Sequence, residues 1–196
     1  LVPKDDFVCR MIESIGVQPR RIVEVGCSNG YRLEDLRQKF HAVCYGYDIS
    51  NEAIEAGCDA FPGIHLKPKA LHEIPYDTSF DLVICNFVLH WVDRSLLVQS
   101  MSRIDALVRR GGTLVIGDFD PDYQQKRKYH HLPDEEVYTY KQDYTAFFKA
   151  TGLYRETAVF TFDHDKQTYG YAPSEARGMC AALRKMENEE YYVLTQ

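Results

Sequence analysis

The chain has 196 residues, 45% of them hydrophobic, which suffices for one well-packed core and is short for two, so a single domain over residues 1–196 is expected. Acidic side chains outnumber basic ones by 29 to 23, and a formal charge of −6 repels a phosphate backbone, which argues against nucleic acid as a partner. The six cysteines form no C-x-x-C pair and no apolar run nears the roughly 20 residues of a membrane span, so no metal site, no disulfide frame and no membrane partner are expected, and a cytoplasmic location is.

Leu1 to Asp6 carry no signal-peptide pattern, and the missing initiator Met leaves room for residues upstream. Phe7, Val8, Met11, Ile12 and Ile15 recur at helical spacing until Gly16 and Pro19, and Ile22 to Val25 follow as a first strand. After a loop from Gly26 to Gly30, Leu33, Leu36 and Phe40 mark one face of a second helix, and Ala42 to Tyr47 reads as a second strand closed by Asp48. Ser50 is an N-cap for a short helix from Asn51 to Ala56, which Gly57 is expected to end, and a brief strand falls near Ile64 to Leu66.

Phe80 to Phe87 is the clearest buried strand. Asp93 then caps a helix with Leu97, Met101, Ile104 and Val108 facing inward, broken by Gly111-Gly112 ahead of a strand from Thr113 to Ile116. Residues 118–141 lose periodicity to Pro, Asp, Tyr, His and charge over a length that suggests a lid or substrate loop. Tyr144, Phe147 and Phe148 sit on a helix ended by Gly152, and Thr157 to Phe162 and Met179 to Leu183 read as two last strands with no helix between them. The sum is an α/β fold: a Rossmann-like, doubly wound, mostly parallel seven-stranded sheet with helices on both faces and a terminal antiparallel pair.

Two places carry chemistry. Glu24-Val25-Gly26-Cys27-Ser28-Asn29-Gly30 stands where a strand ends and a helix starts, so small residues let a ligand reach backbone and helix N-terminus. Asp48 ends the second strand, where a carboxylate suits the paired hydroxyls of a ribose. Loop and acid together imply an adenosine-type ligand.

With these motifs, and with Ser79-Phe80-Asp81-Leu82-Val83 running on to Leu89-His90-Trp91, Arg110-Gly111-Gly112-Thr113-Leu114 and Cys180-Ala181-Ala182-Leu183, the sequence resembles the class I S-adenosylmethionine-dependent methyltransferases, in particular their small-molecule branch. The likeness runs from about Arg20 to Gly117 and more loosely to the last strand. It implies S-adenosylmethionine as cofactor, S-adenosylhomocysteine as co-product and a small-molecule acceptor, with a hydroxyl or carboxyl oxygen favoured over nitrogen. It also implies cofactor contacts at Glu24, Gly26, Cys27, Ser28, Gly30, Asp48, Ile49, Ala70, Leu71, Asn86 and Phe87: the methionine end near Gly26 and Asn86, Glu24 organising the loop, Asp48 on ribose, Ile49 on adenine, and the backbone of Ala70 and Leu71 at the adenine edge. Two positions depart from the family pattern, Ser28 at the usual middle glycine and Ala70 where many relatives place an acid.

Methyl transfer is an in-line displacement in which alignment and exclusion of water supply much of the acceleration, so a dedicated base is optional. For a hydroxyl acceptor, His90 at the mouth after the fourth strand is the candidate base, and His130, His131 and Tyr123 in the long loop are further candidates for closing over the acceptor. A non-catalytic binding or regulatory module on the same scaffold is the main competing reading. A nicotinamide-dependent oxidoreductase is less favoured, because its fingerprint wants a glycine where Tyr31 stands. Oligomeric state is not legible in the sequence.

Overall fold

The computed structural model describes residues 6–75, 78–129 and 136–187. Helix α1 (Phe7–Ser14) is capped by Asp6, whose Oδ1 accepts the amides of Val8 at 2.9 Å and Cys9 at 3.0 Å. Strands β1 (Arg21–Val25), β2 (Val43–Asp48) and β3 (His65–Pro68) alternate with α2 (Tyr31–Phe40) and α3 (Asn51–Ala60). Next come β4 (Phe80–Asn86), α4 (Leu97–Leu107), β5 (Val108–Phe119), β6 (Gln125–Lys128), β7 (Tyr138–Lys141), α5 (Thr145–Ala150), β8 (Tyr154–Asp163), β9 (Thr168–Tyr169) and β10 (Arg177–Lys185).

The main sheet has the order β3-β2-β1-β4-β5-β10-β8-β9, parallel from β3 to β5 and antiparallel from β10 outward. The expected doubly wound sheet with a terminal antiparallel pair is present, with eight strands rather than seven because the two-residue β9 adds a short edge. Successive residues point to opposite faces, so Ile22, Leu82 and Ile84 join Met11, Leu33 and Leu36 in one core, while Val23, Val83 and Cys85 join Met101, Ile104 and Phe148 in the other. Both faces are covered, which is why the central strands are continuous apolar runs.

Four local expectations change. Helix α3 continues through Gly57 to Ala60, because Gly57 is needed for close approach: a Cβ there would press on the Asn29 carbonyl and lie 2.5 Å from a Leu66 methyl. Helix α4 ends at Leu107, so Val108 belongs to β5 and Gly111-Gly112 lies inside that strand, where the pairing with β4 slips between Phe80 and Leu82. Asp93 caps the turn before α4, accepting the Ser95 amide at 2.8 Å, while Leu96 occupies the helix N-cap. Within 118–141, the first two residues complete β5, and β6 and β7 pair as an antiparallel hairpin with Gln125 opposite Lys141.

The thiols of Cys9, Cys27, Cys44, Cys85 and Cys180 are buried and that of Cys58 is exposed, all of them free, and no metal-binding cluster of His, Cys, Asp or Glu occurs among the described residues. No helix of those residues is long and apolar enough to cross a membrane.

Candidate active site

Because β1, β4 and β5 run parallel, their C-terminal ends open at one edge of the sheet, and the β1–α2 loop and the tip of β2 meet there. Gly26 at φ +71° and Cys27 both donate their amides to the Tyr47 carbonyl, at 2.7 and 3.2 Å. Gly26 must be glycine, since a Cβ would collide with Val88 Cγ2. Ser28, at φ +51°, donates its N–H to Asp48 Oδ2 at 2.8 Å, and Ser50 donates its N–H to Asp48 Oδ1 at 2.9 Å. The loop and the strand-tip acid therefore converge, and Asp48 keeps lone pairs beyond the two amides.

A cleft of about 570 Å³ opens beside this junction, lined by Gly26, Asp48, Ile49, Ala70, Leu71 and Phe87 among the expected residues. Ile49 is 78% exposed, an apolar wall that a flat ring would cover. Ala70 lines the cleft, and its amide is engaged, donating to Glu73 Oε2 at 3.1 Å. Cys27, Ser28 and Gly30 belong to the same loop but do not line the cleft. Gly30, at φ +77°, starts α2 and donates to the Cys27 carbonyl at 2.9 Å. Phe87, at φ +54°, also borders a second cavity of about 120 Å³ that it shares with Asn86, Arg32, Asp6 and His164.

Glu24 is wholly buried beneath the loop. Its Oε1 pairs with Arg32 Nη1, and its Oε2 has no partner among the described residues. The same guanidinium reaches Asp6 Oδ2, with Nε donating at 2.9 Å, so Arg32 joins the α1 cap to the end of β1. Burial pushes the Glu24 carboxyl up to about 7 against the pull of Arg32. Burial pushes Asp6 upward too, but Arg32 and the Val8 and Cys9 amides outweigh it and hold that carboxyl below its usual range.

His90 does not stand at the mouth. It is 4% exposed and packs behind the cleft, its ring centroid 5.8 Å from Phe87 and 5.1 Å from Trp91, because the turn Leu89–Trp91 folds it back onto β5. Its Nδ1 lies 2.9 Å from Asp118 Oδ1, off the line of a good N–H bond. Tyr123 is 70% exposed just before β6 and does not line the cleft, and His130 and His131 lie outside the described residues.

Several wall residues were not anticipated. Val88, Trp91, Leu96 and Ser100 complete the cleft, and the buried Ser100 hydroxyl has no partner among the described residues. Arg32 had a readable signal: it precedes Leu36 by one turn and so shares its inward face, where a guanidinium demands a buried acid.

The family model described as "Methyltransferase domain" matches residues 5–158. The malonyl-[acyl-carrier protein] O-methyltransferase of Halorhodospira halophila is 24% identical over 123 residues, 60% of this chain and 41% of that protein. The corresponding enzyme 1 of Coxiella burnetii is 25% identical over 126 residues, 62% of this chain and 42% of that one. The chain thus spans about two-fifths of the length of these curated relatives. Among solved structures, the N-methyltransferase NodS of Bradyrhizobium japonicum WM9 with S-adenosyl-L-homocysteine has a TM-score of 0.67 at 17% identity, covering 94% of this chain and 86% of that one. The 1,6-didemethyltoxoflavin-N1-methyltransferase of Burkholderia thailandensis has a TM-score of 0.71 at 12% identity, covering 92% and 76%.

Proposed function

Because the chain belongs to the class I S-adenosylmethionine-dependent methyltransferases, we propose that it moves a methyl group from S-adenosylmethionine to an oxygen of a small-molecule acceptor. The observation that carries the reading is the convergence of the Ser28 amide and the Asp48 carboxylate beside one cleft, a geometry suited to a single adenosyl group.

The residues present fit that cofactor. Asp48 accepts the ribose hydroxyls through its remaining lone pairs, and Ile49 covers the adenine face. Gly26 lets the ligand approach the backbone, and the wholly buried Glu24 anchors Arg32 beneath that loop. When bound, the cofactor supplies a sulfonium methyl carbon as electrophile. The chain's own part is to orient the acceptor and to keep water out, and the aromatic walls Phe87 and Trp91 serve both. Oxygen is favoured as acceptor because the curated relatives named above are O-methyltransferases.

Titration calorimetry with S-adenosylhomocysteine tests the reading directly. Saturable binding is expected in the wild-type protein and a large loss in Gly26→Val, whose side chain must displace Val88. The absence of heat at millimolar ligand in the wild type would leave a scaffold without a cofactor role.

A further inference from the structure

The β6–β7 hairpin has two unlike faces. Gln125 pairs with Lys141 and Arg127 with Thr139, so strand alternation gathers these four on one face and puts Lys126, Lys128, Tyr138 and Tyr140 on the other. The cations of the second face are matched: Lys126 Nζ lies 3.9 Å from the Tyr138 ring centroid, and Lys128 Nζ lies 3.7 Å from Glu136 Oε1. Those of the first are not. Arg127 and Lys141 are both half-buried, and neither forms an ion pair with a carboxylate of the described residues.

That first face packs at the end of β5. Lys141 Nζ sits 3.5 Å from the Phe119 ring centroid and donates to the Glu175 carbonyl at 3.2 Å. His164 stands 4.9 Å from the same ring, and its Nδ1, like Gln125 Oε1, is buried with no partner among the described residues. Burial, with Arg127 nearby, pushes the Lys141 ammonium below the usual lysine range, while Asp165, Asp118 and Glu175 pull it back from beyond ion-pair distance. Two partly desolvated cations held together repel, and unsatisfied polar atoms beside them add to the cost. An oxyanion between Arg127 and Lys141 relieves both, because Gln125 can turn its amide and His164 can carry its proton on Nδ1 to become donors. In a chain of net charge −6, such a pair is no sample of a generally basic surface.

The place of the pair says what the anion belongs to. His164 also borders the cavity of about 120 Å³ that reaches Asn86 and Phe87, and Phe87 is in turn a wall of the large cleft. The Phe87 and Phe119 rings meet at 5.2 Å and stand between that cleft and the cations, which sets the pair apart from the cofactor's own carboxylate. We infer that Arg127 and Lys141 anchor an anionic group, carboxylate or phosphate, carried by the methyl acceptor apart from the atom that is methylated. The inference rests on the methyltransferase reading above and narrows its acceptor to small molecules bearing a free acid group.

Titration calorimetry of the full chain with inorganic phosphate and with succinate, at constant ionic strength, tests the anchor. At least one probe is expected to bind saturably, with affinity lowered about tenfold or more in Arg127→Gln. Lys128→Gln removes the same charge from the opposite face and is expected to change it by less than about twofold. Tighter phosphate supports a phosphate-bearing acceptor, and tighter succinate a carboxylate-bearing one. Arg127→Gln decides, since Lys141→Gln also loses the Glu175 carbonyl, and its urea midpoint in anion-free buffer is expected to stay at the wild-type value or above. A lowered midpoint, equal losses in Arg127→Gln and Lys128→Gln, or no binding of either probe would overturn the anchor. Saturation with S-adenosylhomocysteine is expected to leave probe affinity within about twofold, whereas displacement of the probe would give the pair to the cofactor and overturn the acceptor assignment. Failure of S-adenosylhomocysteine to bind while a probe still does would remove the methyltransferase reading, and the acceptor role with it, and leave the anion site standing.

Discussion

Ser28 donates its backbone N–H to the Asp48 carboxylate across 2.8 Å, and this bond joins the loop after β1 to the tip of β2. It places the acid with one oxygen on the loop and the other on the Ser50 amide at 2.9 Å.

Asp48→Ala removes both anchors and the proposed ribose acceptor. Cofactor binding is expected to weaken by about 1 to 3 kcal/mol, the loss of a charge-assisted pair. Calorimetry with S-adenosylhomocysteine measures it, and unchanged affinity would take the ribose role away from this residue.

Ser28 holds a left-handed backbone that glycine adopts without a side-chain penalty. Ser28→Gly is expected to raise the urea midpoint modestly, by up to about 1 kcal/mol of stability, with the gain in native backbone offset by the freer unfolded chain. A lowered midpoint would show that the serine side chain matters more than its φ.

Arg32 is the shared partner of Asp6 and Glu24, so Arg32→Met leaves two buried acids without their cation. A destabilisation of about 3 to 5 kcal/mol is expected, as for other broken buried pairs. Adding Asp6→Asn and Glu24→Gln to the same chain should recover part of it, a double- and triple-variant comparison read by urea denaturation.

Glu24 carries a pH signature. Burial lets its native carboxyl hold a proton up to about 7, well above its ordinary value of 4.5, so its protonation favours the folded state. That contribution is complete below pH of about 4.5 and is lost as pH rises through about 7. Glu24→Gln should therefore lose less stability than wild type between pH 5 and pH 8. Equal slopes in urea titrations at the two values would contradict a raised Glu24.

The centre of the parallel half was legible because β1 and β4 are largely buried, mostly apolar strands, and the loop-plus-acid motif sits where such a sheet opens. Gly57 and Gly111-Gly112 misled for one reason: a glycine reads as a break, yet at Gly57 it serves the approach of α3 to the Asn29 carbonyl and in β5 it serves a slipped register. His90 misled differently. Its sequence neighbours place it after a strand, but only the turn from Leu89 to Trp91 and the carboxylate on β5 decide that it points inward. Asp118 could not be matched with it beforehand, since 28 positions separate them and the pairing depends on strand register.

Trp91 is the sole tryptophan of the chain. One side of its indole faces the cleft, and its ring meets Tyr129, beside the β6–β7 hairpin, edge-on at 4.7 Å. The molecule therefore carries a built-in optical reporter at the seam between ligand space and hairpin, and a single emission band follows occupancy and hairpin displacement without any added label.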